Sequence, residues 1–262
     1  MRYEESPPSP DLEPFIESFW AFDIPAGGEA RAHVIVPDGT VSISITDLGT
    51  DLGTDLGASR HVRLVGPHTQ ARRVDVYPGA VYRGARFRAG AVKAVLGAPP
   101  GQWLDTVVPL ERGYPVLAAA LAAGYCRDAG LGGFRAQVEA ALTPDAAGLD
   151  DEVAALVDAI AAAEGEAPLA TLMAGRPLGP RQLRRRFVAA TGLTPKTYAR
   201  LRRVRRACIR LAETAPGALA ALSAEAGYAD QPHFSRDMRE VFGLSAHLLQ
   251  AYLRQISHHN VR

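Results

Sequence analysis

The chain has 262 residues, enough for one or two domains with a real hydrophobic core, so it needs no disulfide or metal staple. Hydrophobic residues at 47% and charged ones at 22% exclude a disordered or fibrous class. Apolar runs such as Val116 to Ala123 fall far short of the roughly 18 residues that a membrane span needs. The net charge of +1 hides a division: up to Ala167 there are 13 Lys+Arg against 23 Asp+Glu, a net −10, and from Pro168 onward 16 against 5, a net +11. A basic block of about a hundred residues points to a polyanion, most often nucleic acid, with an acidic portion ahead of it that would avoid phosphate. The opening MRYEESPPSP has no signal pattern, and Cys126 and Cys208 form neither a metal spacing nor a disulfide framework, so a reducing cytoplasm is the expected location.

In chain order, the stretch to about Ala98 carries short β-rich runs between turn residues: SFWAFDIP, AHVIVPDG, TVSISIT, VRLVG, RRVDVYPG, VYRGARF and AVKAVLG. Runs at this spacing predict a sandwich or a small barrel. Val41, Ile43 and Ile45 alternate with Ser42, Ser44 and Thr46, which predicts a strand with one wet face. The triple repeat TDLGTDLGTDLG, Thr46 to Gly57, reads as an expanded loop. From Gly101 the pattern turns helical, and Pro144 to Gly148 makes a linker. Asp150 is placed to N-cap a helix whose Val153, Leu156, Val157 and Ile160 share one face. Seven helices are expected from there to the end, punctuated at Pro168, Gly179-Pro180, Thr194-Pro195, Pro216-Gly217, Gly227 and Gly243.

Two segments of the basic region share one plan, a short apolar helix, a tight turn and a second helix with a cationic outer face: LATLMAGRPLGPRQLRRRFVAATG and ALAALSAEAGYADQPHFSRDMREVFG. Between them Thr194 caps and Pro195 opens a long connecting helix. At 100° per residue Leu183 and Phe187 fall on one side of the first unit, with Arg181 and Arg185 opposite and Gln182 and Arg184 beside them. In the second unit Phe234, Met238 and Val241 form the buried stripe, leaving Pro232, Arg236 and Arg239 outward with His233 and Ser235 alongside; Asp230 is the N-cap. Arg can read guanine and Gln adenine by paired hydrogen bonds, and a helix N-terminus suits a phosphate. A plain solvated face explains either arginine helix taken singly, and two at matched positions favour DNA. The connector stripe Arg202, Arg203, Arg206 and Arg210 reads as solvated charge, opposite a core face that includes Cys208.

The run AGYADQPHFSRDMREVFGLS, Ala226 to Ser245, resembles the second helix-turn-helix signature of the AraC family of bacterial transcription regulators, and Leu178 to Ala207 resembles its first unit and connector. The resemblance implies two recognition helices in successive major grooves, about one helical turn or ~34 Å apart on double-stranded DNA. It carries base or phosphate contacts onto Arg181, Gln182, Arg184 and Arg185 of the first helix and onto Gln231, His233, Ser235, Arg236 and Arg239 of the second. Pro177, Gly179 and Ala246 depart from the family pattern, the second by removing a Ser or Thr cap. FIESFW at Phe15, VPDG at Val36, VGPHT at Val65, GARFRAGAVKAVLG at Gly84 and VPLE at Val107 are similar to a little-characterised, cupin-like sensor domain. The implied fold class is α+β: a cupin-like β-barrel or sandwich with trailing helices over 1–145, then an all-α domain with two helix-turn-helix units over 150–262.

The resulting expectation is a transcription regulator, with activation among its modes, whose front domain senses a small molecule or a partner. RNA polymerase and a second copy of the chain are candidate partners. The competing class is an enzyme, metal-dependent or alkyl-accepting, fused to a DNA-binding module. Against it, His33, His61 and His68 lack an HxH or nearby Glu, no familiar catalytic motif occurs, and Cys126 has no His close by in sequence. No cofactor or metal is therefore expected, the residues that would line an effector pocket in the front domain stay unassigned, and a purely architectural DNA binder would leave the front residues without a role.

Overall fold

The computed structural model describes residues 1–49, 60–213 and 219–257. Strands β1 (Arg2–Ser6), β2 (Ile16–Asp23), β3 (Arg31–Ile35), β4 (Ser42–Asp47), β5 (Arg60–Val65), β6 (Arg72–Val76), β7 (Val81–Phe87) and β8 (Val107–Pro109) form two antiparallel sheets. The larger has the order β1-β2-β7-β4-β5-β8, and β3 pairs with β6 in the smaller. Alternation decides which residues go inward. Phe19, Ala21, Ile43, Ile45, Leu64, Ala85 and Phe87 share the core with helices α1 (Val92–Leu96), α2 (Pro115–Gly124) and α3 (Gly130–Ala141). Leu131, Phe134 and Val138 recur at helical spacing on α3, and the Phe134 ring meets Phe19 edge-on at 6.3 Å.

The opposite face of this sheet carries the cross-strand row Glu5, Trp20, Gly84, Ser44 and Arg63. The Trp20 indole lies on Gly84 so closely that a Cβ there would sit 2.2 Å from the ring, which is why that position is glycine. Phe22 on this face stacks on His33 of β3 at 4.8 Å between centroids. Ser42 and Ser44, expected to be wet, are instead buried, since Ser42 lies beside the Arg86 side chain and the small sheet overlies this face.

Three other readings change. AVKAVLG was expected as a strand and is α1, closed by Gly97 at φ +69° with its N–H on the Lys93 carbonyl. β8 and a 3₁₀ turn at Pro100–Trp103 occupy a stretch expected to be helical from Gly101, and the acidic opening is the edge strand β1. Cys126, expected on a helix, is exposed in extended backbone between α2 and a 3₁₀ turn. Most of the TDLG repeat lies outside the described residues.

Seven helices follow among the described residues: α4 (Asp151–Ala162), α5 (Leu169–Met173), α6 (Pro180–Thr191), α7 (Pro195–Glu213), α8 (Leu219–Glu225), α9 (Gln231–Phe242) and α10 (Ala246–Ser257). They bury two cores. Val153, Leu156, Ile160, Leu183, Phe187, Tyr198 and Leu201 gather with Ala89 of the β-region. Val204, Cys208, Leu211, Leu222, Phe234, Met238, Val241 and Leu249 form the other, on which Val36 packs. The one long helix α7 serves both, its first turns in one core and its later turns in the other. Its amphipathic period is what lets a single element join the two halves.

Candidate nucleic-acid interface

The first unit is α5, a turn and α6. Gly175 turns the chain at φ +70°, and Arg176 fastens the turn by donating to the carbonyls of Leu172 (2.7 Å) and Ala155 (3.1 Å). Helix α6 starts at Gly179 with no side-chain cap, and Pro180 at its first position has no N–H to leave unpaired. Leu183, Phe187 and Thr191 are buried, so the opposite face is fixed outward. Arg181, Gln182, Arg184 and Arg185 are all exposed on it. Gly179, Pro180, Arg181, Gln182 and Arg185 line an open concavity of about 750 Å³ at the helix start. Arg186 is different: it is held at 2.6 Å by Asp150, whose other carboxylate oxygen caps α4 through the Val153 N–H.

The second unit is α8, a turn and α9. Gly227 at φ +70° lets the chain reverse, and the Tyr228 N–H returns to the Ser223 carbonyl at 3.0 Å. Asp230 caps α9, its carboxylate accepting from the His233 N–H at 2.6 Å. The apolar stripe Phe234, Met238 and Val241 is buried as the helical period requires. Gln231, Arg236 and Arg239 are exposed, while His233 and Ser235 are half-buried, the His233 ring against Tyr228 at 5.2 Å.

Sequence reasoning missed the groups that aim α9. Asp237 is buried and accepts from Arg200 (2.8 Å) and pairs with Arg203 (3.5 Å) of α7, while Glu240 holds the other end of Arg200 at 2.5 Å. Arg203 also lies over the Tyr228 ring at 4.8 Å. The two acids among the basic residues of HFSRDMREVF were the available signal, but their partners are more than thirty positions away.

The electrostatics separate two kinds of arginine. The α7 stripe, read as solvated, is half-buried and paired: Arg202 with Glu17 (3.1 Å), Arg206 with Glu164 and Glu166, and Arg210 with Glu225 (3.9 Å). Arg181, Arg184, Arg185, Arg236 and Arg239 have no carboxylate within ion-pair distance among the described residues. Positive charge is thus cancelled along the connector and left uncompensated on the two outward helix faces, the arrangement that attracts a polyanion. Burial drives the Cys208 thiol far above its ordinary pKa, which keeps it protonated and inert. No group of three His, Cys, Asp or Glu side chains among the described residues is placed to hold a metal ion, and no helix there is long and apolar enough to cross a membrane.

Residues 177–252 match a family described as a helix-turn-helix domain, and residues 4–109 match a domain of unknown function (DUF6597). No curated protein matches the chain. Among solved structures, ToxT from Vibrio cholerae O395 bound to (E)-4-(8-methylnaphthalen-1-yl)but-3-enoic acid is 10% identical, with 90% of this chain and 99% of that chain covered and a TM-score of 0.47. The unsaturated fatty acid bound wild-type ToxT from Vibrio cholerae strain SCE256 is also 10% identical, over 92% and 96% of the two chains, with a TM-score of 0.40. Residues 177–252 are thus a helix-turn-helix domain, and residues 4–109 are a domain of unknown function.

Proposed function

We propose that the chain is a sequence-specific transcription regulator that inserts α6 and α9 into successive major grooves of double-stranded DNA. The observation that carries this reading is the pair of matched helices, each buried on one side and each presenting arginines that no carboxylate neutralises. In it Arg181, Gln182, Arg184 and Arg185 read one element, and Gln231, His233, Ser235, Arg236 and Arg239 the other, by paired hydrogen bonds to base edges and by charge on phosphates. Asp230 and Asp237 act at one remove, the first by shaping the N-terminus of α9 and the second by fixing its angle on α7. Residues 1–145 form the regulatory part in this reading, responding to a small molecule or a partner and changing DNA binding or contact with RNA polymerase.

The test is selection of bound duplexes from a random pool with the full-length chain. Enrichment of two short elements about one helical turn apart supports the reading. Salt-sensitive binding with no enriched motif would leave the arginines as phosphate contacts only and overturn it.

A further inference from the structure

The β-region touches the two helix-turn-helix units separately, and one short segment stands between them. Val36 packs on the second unit's core, and Gly39, at φ +74°, backs onto Leu193, Tyr198 and Leu201 of the first. A Cβ at position 39 would lie 3.1 Å from both Leu193 and Tyr198, so the contact is backbone against side chain. Between these two contacts Asp38 pairs with Arg205 of α7 at 3.5 Å.

Asp38 is itself held from behind. Arg86, buried in the sheet, lies 2.7 Å from it and also bonds Glu5 and the Ser18 hydroxyl, each at 3.0 Å. Glu5 reaches Arg205 as well, at 3.6 Å, and Thr40 donates to Asp38 from its N–H (3.0 Å) and its hydroxyl (2.8 Å). Further out, the Val241 carbonyl of α9 accepts from the Ala71 N–H at 2.7 Å, and the Tyr252 hydroxyl of α10 accepts from the Val34 N–H at 2.7 Å. None of these contacts involves the outward faces of α6 and α9.

We infer that the turn at residues 36–39 is a wedge seated between the two helix-turn-helix units, and that it sets the spacing between the two DNA elements they read. The inference rests on the two-element reading proposed above. One added base pair moves an element by about 3.4 Å and turns it by about 35° around the duplex. A rigid pair of reading helices cannot follow such a shift, whereas a pair free to rotate about α7 can. The acid that fastens the wedge is matched to its place: burial alone would push the Asp38 carboxyl up, and the Arg86 and Arg205 charges with the Thr40 hydrogen bonds outweigh it.

The experiment uses full-length protein, wild type and the double variant Arg205→Met/Tyr252→Phe, which leaves the Arg86–Asp38 pair and every outward residue of α6 and α9 in place. Affinity is measured for duplexes carrying the two selected elements at their selected spacing, with one base pair inserted or removed, and for a duplex with one element alone. Amide hydrogen exchange without DNA gives an independent readout. The expected result is a loss of about tenfold or more per base pair of misspacing for wild type and under about threefold for the variant, with single-element affinity unchanged. Exchange in residues 36–40 should be faster in the variant. An unchanged spacing profile despite faster exchange overturns the wedge alone, and unchanged exchange overturns the assignment of Arg205 and Tyr252 as the contacts that seat it. Failure of wild type to select two elements overturns the two-element reading and the wedge together, and is recognised by the missing motif.

Discussion

Arg236 stands exposed on α9 with no carboxylate within ion-pair distance among the described residues, nearly two turns from the Asp230 cap, so its guanidinium is available to a base edge. Arg236→Ala should weaken binding to the selected duplex by about 1 to 3 kcal/mol and barely change binding to a scrambled one, as titration of both would show. Asp38 makes a pH prediction. Its carboxyl is held at about 2 against an ordinary 3.8, so its stabilisation is complete above about pH 4 and is lost as pH falls through 2. Thermal midpoints measured between pH 5 and 2 should therefore fall more steeply for wild type than for Asp38→Asn. Gly84→Ala should destabilise by about 1 to 3 kcal/mol in chemical unfolding, since its methyl would need space the Trp20 ring occupies. At this scale the buried stripes were legible, because Leu183 with Phe187 and Phe234 with Met238 follow the helical period. The partners of Asp237 and Arg205 were not, since no local rule links side chains so far apart in the chain.

Helices α6 and α9 differ in how they begin. Helix α9 has the Asp230 carboxylate on its His233 N–H, while α6 has only Gly179 and Pro180. Asp230→Ala should cost about 1 kcal/mol of stability, and Gly179→Ser should gain a few tenths, both measurable in urea titrations. The caps at Asp150, Thr194 and Asp230 were readable because capping is local chemistry, and each side chain accepts from the backbone N–H three residues on. The misread elements are those where local chemistry is ambiguous. AVKAVLG is a short apolar run, equally suited to a strand or a buried turn of helix, and burial of Val92, Ala94 and Leu96 under the sheet decided for helix. Strands β1 and β8 are edge strands of five and three residues whose pairing comes from the neighbouring strand rather than from their own pattern.

Across the molecule, the charge division between the two halves is partly an internal affair. The acidic residues Glu5, Glu17 and Asp38 of the front half hold Arg202 and Arg205 of the connector, so the two halves meet through opposite charges. The cationic count of the helical region therefore overstates what DNA encounters. With five uncompensated arginines on α6 and α9, the logarithm of affinity against the logarithm of salt should have a slope no steeper than about −5. A much steeper slope in a salt series would mean that the connector pairs open on binding. The composition foretold a polyanion partner, but it could not foretell which arginines were already committed, since that depends on two regions meeting in space.

The tie between the Ala71 N–H and the Val241 carbonyl is made by backbone alone. Side chains at either position can drift over evolutionary time without erasing it, and at position 71 only proline removes the donor. Descendants of this chain can therefore exchange the outward arginines of α6 and α9, or remodel the front half, while the attachment between the two passes unchanged from one version to the next.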